Sequence, residues 1–285
     1  MDQERHQGKD SKFIPMASIT SGDGREIAKD VYYYTDQMVN IIFIGDPNEG
    51  KWVLVDAGLP GAAAEIKHVV NHRFGRHSKP EAIILTHGHF DHVGGIVDLV
   101  NEWEIPVYCH PLELPYLTGE KSYPKPDPTV EGGMLATISP MYPIEPTQLG
   151  DAVHTLPEDH SVPGLPEWKW LHTPGHAPGH VSLFRERDRM LVAGDAFVTV
   201  RQDSLTKVLF QKEEVHGPPR YLTTDWQAAW DSVRELEQLQ PETAVTGHGV
   251  AMSGEKLAAG LHALVKRFDE LAIPNYGKYI KGYYE

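Results

Sequence analysis

THGHFDHVGG, residues 86–95, closes the short apolar run AIILT (82–86) and opens onto a region of helical pattern near 93–103. The run is fully apolar and too short for a helix, so it reads as a buried strand. Three histidines and an aspartate then leave its C-terminal end, where loops on an open α/β sheet gather binding residues. The spacing lets His87 and His89 turn one way, while the adjacent Asp91 and His92, at the start of the helix, turn toward a second point. Gly88 is expected to permit a sharp backbone there, and Gly94-Gly95 to let the following helix pack closely.

The partners of this cluster are sought at other strand ends. TPGHAPGH (173–180) follows the strand pattern WKWLH (168–172), and its Pro-Gly pairs rule out a helix or a central strand through it. His176 sits in that loop, Asp195 ends RMLVAGD (189–195), and His248 follows TAVTG (243–247). Neutral imidazole and carboxylate are good zinc ligands, and a catalytic site leaves a position for water. His87, His89, Asp91, His92, His176, Asp195 and His248 are too many for one tetrahedral ion. They suit two ions that share a carboxylate.

The rest of the chain bounds the answer. Its 285 residues carry a net charge of −14, which weighs against a nucleic-acid partner or an anionic membrane surface. Cys109 is the only cysteine, so neither a disulfide within the chain nor a cysteine zinc cluster is expected. The polar start MDQERHQGKDSKFIP lacks the apolar core of a signal peptide, and no apolar run is long enough for a bilayer. A cytoplasmic location and a small-molecule substrate are expected, with the oligomeric state left open.

Residues 1–25 read as a flexible arm and 26–285 as a single domain with a lid-like insertion near 110–166. Strands are expected at DVYYYT (30–35), VNIIFIG (39–45) and KWVLVDAG (51–58), and later at IPVYC (105–109), HVSLFR (180–185) and RMLVAGD. Helical patterns cover 61–74, 225–239 and 254–272, with some helix near 131–140. The proline-rich stretch 110–166 shows little periodicity, and a loop that long tends to be functional. Tyr116, Tyr123, Met134 and Tyr142 give it aromatic and apolar contacts suited to a pocket wall. Residues 199–222 read as a second irregular stretch.

THGHFDHVGG, TPGHAPGH, LVAGDAF and VTGHG, preceded by LVDAG, together resemble the metallo-β-lactamase superfamily, in order over residues 30–250. The resemblance implies an α/β (α+β) fold, a four-layer αβ/βα sandwich of two mixed β-sheets with outer helices. It implies that His87, His89 and His176 bind one metal, that Asp91, His92 and His248 bind a second, and that Asp195 bridges them. Asp56 would support the site without ligating, and His180 would stand behind the ligands. Two divalent ions are expected, zinc first, with iron or manganese as alternatives.

Such a site hydrolyses an ester, thioester, lactone or related bond, with a metal-bridged hydroxide attacking and Asp91 handling the proton. The alternative is a sulfur dioxygenase of the same superfamily, holding one iron and oxidising a persulfide. Secreted β-lactamases expect a signal peptide, and RNA-processing members expect RNA-binding elements. Lactonases of the superfamily carry a tyrosine three residues after the bridging aspartate, where Val198 stands here. The basic cluster of glyoxalase-type thioesterases is reduced to Lys256, Lys266 and Arg267. Phe197 and His216 are weaker candidates for lining a substrate pocket. His68 and His72, four apart on a helix, lack the flanking acid of a helical zinc motif and read as a solvated face. His172 reads as strand or loop.

Overall fold

The computed structural model describes Arg5 and residues 21–131, 133–200 and 213–280. The chain divides into two compact units, Met1–Tyr123 with Pro143–Pro166, and Pro124–Tyr142 with Glu167–Glu285.

In the first unit, β1 (Gly24–Ala28), β2 (Val31–Asp36), β3 (Val39–Ile44) and β4 (Val53–Val55) pair antiparallel in succession. The sheet then changes sense, as β5 (Ile83–Ile84), β6 (Val107–Cys109) and β7 (Val153–Thr155) add in parallel. Parallel neighbours require a long crossover. The first two come from α1 (Ala63–Arg73) and α2 (Ile96–Trp103). α2 buries Ile96, Val97, Leu99, Val100 and Trp103, the stripe of a helix with one face on a sheet. These side chains pack with Ile66 and Val70 of α1 and with Phe43, Leu54 and Ile83 of the strands in one core. Cys109 lies in that core, and burial pushes its thiol up, which leaves it unsuited to act as a nucleophile.

The short β8 (Ser161–Val162) lies in the last segment of the first unit. β9 (Leu165–His172), in the second unit from Glu167 onward, alternates buried Trp168 and Trp170 with exposed Lys169. β10 (Val181–Arg185) and β11 (Met190–Gly194) continue antiparallel. A two-stranded ribbon of β12 (Val198–Val200) and β13 (Glu213–His216) follows. The helix α3 (Trp226–Gln238) then returns the chain so that β14 (Thr243–Thr246) pairs parallel to β11. β15 (Met252–Ser253) and α4 (Gly254–Lys266) complete the unit. Asp225 starts α3 by accepting the Ala228 N–H at 2.9 Å, an N-cap bond. Trp226, Ala229 and Val233 of α3 and Leu257, Leu261 and Leu264 of α4 bury against Leu191, Ala193 and Ala244.

The mixed α/β class with two mixed sheets and helices packed on them agrees with the sequence reading. Differences are local. The closing helix breaks at Arg267, where φ is −131° and ψ 37°, and resumes as the turn Phe268–Leu271. The stretch 110–166 is not a uniform loop, because β7 is a sheet strand and Leu117, Leu149 and Ala152 belong to the first unit's core. Its middle, Pro124–Tyr142, belongs to the second unit, where the Asp127 N–H bonds the Tyr221 carbonyl at 2.8 Å. The side chain of Met134 lies outside the described residues, as do 201–212 of the second irregular stretch and all of the arm except Arg5 and 21–25. Among the described residues no helix is long and apolar enough to cross a membrane.

Candidate metal centre

The first unit gathers four of the proposed ligands. Ligand atoms of His87 and His89, of His87 and His92, and of Asp91 and His92 lie within 4.8 Å of one another, and all four residues are buried. Backbone bonds stitch their loop to the LVDAG turn. The Ala57 N–H reaches the His92 carbonyl at 2.7 Å, the Gly94 N–H reaches Gly58 at 2.7 Å, and the Gly95 N–H reaches Ala57 at 3.0 Å. A Cβ on Gly94 would meet the Leu59 carbonyl carbon at 2.0 Å, and one on Gly95 the Ala63 nitrogen at 2.8 Å. Close packing was the sequence expectation for this pair, and the structure bears it out. Gly88 differs. It does not have a left-handed φ; its missing side chain instead makes room for the Tyr123 hydroxyl, 2.9 Å from where a Cβ would stand.

Asp56 ties the loop together from a left-handed backbone, φ 63°, an uncommon state for a residue with a side chain. Its Oδ1 accepts the Thr86 N–H at 2.8 Å and its Oδ2 the Thr86 hydroxyl at 2.7 Å. That hydroxyl has spent its one proton, so at 3.0 Å it accepts from His87 Nδ1. His92 Nδ1, 2.7 Å from Asp56 Oδ2, likewise donates. Both rings are therefore held in the tautomer whose Nε2 carries the lone pair, the orientation that carboxylate and hydroxyl partners give to metal-ligating histidines.

The second unit repeats the device. Thr223 Oγ1 donates to the Pro219 carbonyl at 2.8 Å and so accepts from His176 Nδ1 at 3.2 Å. Asp195 Oδ2 lies 3.5 Å from His176 Nε2 and 3.2 Å from His248 Nε2. The TPGH turn is seated on α3, where the Thr224 and Asp225 N–H groups reach the Gly175 carbonyl at 3.2 and 3.1 Å. Gly175 has φ 125°, and a Cβ there would stand 2.3 Å from the Ala229 nitrogen. His180 accepts the Asp195 N–H on Nε2 at 2.8 Å and bonds Thr173 through Nδ1 at 2.8 Å, which fixes the backbone of Asp195. The His248 loop is held by Thr246 Oγ1 on the His248 carbonyl, 2.7 Å, and by Thr199 Oγ1 on the Val250 carbonyl, 2.7 Å.

The donor set is imidazole nitrogen and carboxylate oxygen without thiolate, which fits zinc, iron or manganese. Outside these sets, His68 and His72 are exposed on α1, and His172 Nε2 meets the Pro178 carbonyl at 2.8 Å. Phe197 is buried in the second unit's core, and buried His216 pairs in register with Val198. The supporting threonines were not singled out from sequence. A signal existed for Thr86 and Thr173, which open THGH and TPGH, but none for Thr223, which lies outside both motifs. Glu113 was also missed. Its Oε2 accepts the Gly88 N–H at 2.9 Å and the Tyr123 hydroxyl. Burial, with the Glu113 charge behind it, holds the Tyr123 phenol well above its ordinary pKa.

Residues 34–248 match the metallo-β-lactamase superfamily, and the chain belongs to it. It is similar to the probable metallo-hydrolase YflN of Bacillus subtilis (strain 168), 45% identical over 260 residues that cover 91% of this chain and 98% of YflN. Among solved structures, TTHA1623 in a di-iron-bound form is 27% identical with a TM-score of 0.53, covering 81% of this chain and 94% of that one. BLEG-1, a B3 metallo-β-lactamase, is 26% identical with a TM-score of 0.52, covering 75% and 88%.

Proposed function

We propose that the chain is a binuclear metal-dependent hydrolase acting on an ester, thioester, lactone or related bond of a small molecule. In this reading His87, His89 and His176 hold one ion, Asp91, His92 and His248 hold the other, and Asp195 is common to both. The observation that carries it is Asp195 Oδ2, which faces His176 Nε2 at 3.5 Å and His248 Nε2 at 3.2 Å. The Thr223 bond makes His176 Nε2 an acceptor, and two acceptors set face to face repel unless a cation lies between them. The tautomers of His87 and His92 support the same reading. The YflN name supports hydrolysis, and the di-iron relative makes iron a candidate beside zinc.

Divalent ions bound there would supply a Lewis acid for the substrate oxygen and a lowered pKa for the attacking water. The chain's own residues do the rest. Asp91 would accept a proton from the attacking water and return it to the leaving group. Asp56, Thr86 and Thr223 hold the imidazoles in their ligating tautomer throughout, and His180 holds Asp195. Metal analysis of the purified protein, with a panel of thioester, lactone, phosphotriester and β-lactam substrates, tests the proposal. About two ions per chain and turnover of one of these bonds are expected. One tightly bound iron, with oxygen consumption on a persulfide donor, would replace the proposal by the dioxygenase reading.

A further inference from the structure

Glu113 is a carboxylate with 0% exposure, a costly position unless hydrogen bonds hold it. Its side chain bonds to one peptide of the ligand loop and to a phenol beside it. Its Oε2 accepts the Gly88 N–H at 2.9 Å, and the Tyr123 hydroxyl, which donates to that same Oε2, stands 2.9 Å from the same N–H. Gly88 is the residue between His87 and His89, so this shared N–H fixes the His87–Gly88 peptide, which adjoins the Cα of His87 and lies one residue before His89. The Tyr123 ring also lies against His89, 4.4 Å between centroids at 53°, and is backed by Tyr116, stacked at 4.0 Å and 10°.

Both residues are themselves anchored. Glu113 ends the turn Pro111–Glu113, which His110 starts by accepting the Leu112 N–H at 3.2 Å. The Tyr123 N–H reaches the Ile144 carbonyl at 3.1 Å, and the Thr147 N–H reaches Tyr116 at 2.9 Å. The pair is thus tied through the backbone on either side of it. Gly88 is fitted to it, since a Cβ there would crowd the phenol oxygen at 2.9 Å and stand in contact with Glu113 Oε2 at 3.4 Å.

We propose that Glu113 and Tyr123 are positioning residues, which set the direction of His87 and His89 through the Gly88 peptide and limit the swing of the His89 ring. The inference rests on His87 and His89 being metal ligands, and it adds a function for residues outside the ligand motifs. Glu113 has a second effect, because a buried negative charge next to this loop favours a dication held by it.

The test compares wild type with Glu113→Gln and Tyr123→Phe, using Zn²⁺ in competition with a chromophoric chelator, the visible spectrum of the Co²⁺ form, and the melting temperature of the metal-free protein. Weaker Zn²⁺ binding is expected in both variants, by about 10- to 100-fold in Tyr123→Phe, which removes a hydroxyl behind the ligand loop, and by less in Glu113→Gln, which keeps an acceptor for the Gly88 N–H and loses only the charge. A changed Co²⁺ spectrum should accompany it. If both variants bind Zn²⁺ within twofold of wild type with an unchanged Co²⁺ spectrum, the inference is overturned, even where the metal-free melting temperature falls. Should Glu113→Gln fail to fold, Tyr123→Phe decides alone. Wild-type protein that binds neither ion would overturn the metal reading itself. Wild-type binding with unaffected variants overturns only the positioning role.

Discussion

Thr223 Oγ1 lies 3.2 Å from Nδ1 of His176 while giving its own proton to the Pro219 carbonyl, 2.8 Å away. One hydroxyl proton thereby decides which nitrogen of a distant imidazole is the acceptor. Thr223→Val keeps the shape of the side chain and removes that decision. Metal binding is expected to weaken by about tenfold, read by chelator competition. Thr223→Ser should restore it, and equal affinity for all three proteins would show that the bond has no bearing on ligation.

Asp195 and Asp91 separate holding a metal from using it. Asp195→Ala removes the carboxylate proposed as common to both ions, so metal content should fall below that of wild type together with activity. A variant that keeps full metal and full turnover would exclude the shared-ligand role. Asp91→Asn retains an oxygen ligand and loses the proton acceptor. Turnover should drop by roughly 10²- to 10⁴-fold, the usual worth of a general acid–base, with a smaller change in metal content. Equal losses of both would reduce Asp91 to a ligand only.

Asp36 offers a test of stability rather than of ligation. Burial holds its carboxyl above the ordinary carboxylate range, with the Leu59 N–H at 3.1 Å acting the other way. A raised pKa means that the folded protein binds this proton more tightly than the unfolded chain. Its contribution to stability is therefore present at low pH and lost as pH rises through the folded value. Asn at this position can still accept the Leu59 N–H and carries no charge. Asp36→Asn should shift the urea midpoint upward at pH 7 relative to pH 4, compared with wild type. A midpoint lowered equally at both pH values would contradict the sign.

The motifs that carry the proposed ligands stand out in the sequence because polar chemistry concentrates in HGHFDH, and its order with Asp195 and His248 follows strand ends that are themselves apolar and short. β7 was not legible. Its three residues, Val153–Thr155, are half-buried or exposed and too few to show an alternation, and only the β6 edge makes them a strand. Glu113 was invisible for another reason. A lone glutamate in a proline-rich stretch looks like solvent-facing surface until folding brings Gly88 to it, 25 positions away in sequence. Gly88 suggests backbone freedom in the sequence and serves space in the structure, because a sequence shows a glycine without showing which of the two requires it.

His180 is the final case, where proton directions can be followed through four buried residues. Ser182 Oγ donates to the Ala193 carbonyl at 2.9 Å, so at 3.0 Å it accepts from Thr173 Oγ1. Thr173, its proton committed, accepts from His180 Nδ1 at 2.8 Å. His180 Nε2 is then a bare acceptor, and the Asp195 N–H fills it at 2.8 Å. The chain thus runs from the floor of β10 and β11 to the backbone of the proposed shared ligand. His180→Ala leaves the Asp195 N–H buried without that acceptor, a loss of roughly 1–3 kcal/mol, and adds a cavity. A total destabilisation of about 2–4 kcal/mol is expected by chemical denaturation of the metal-free protein. Metal content should fall as well, because Asp195 loses the bond that fixes its main chain. Wild-type stability with wild-type metal content would mean that the network does not hold Asp195 in place.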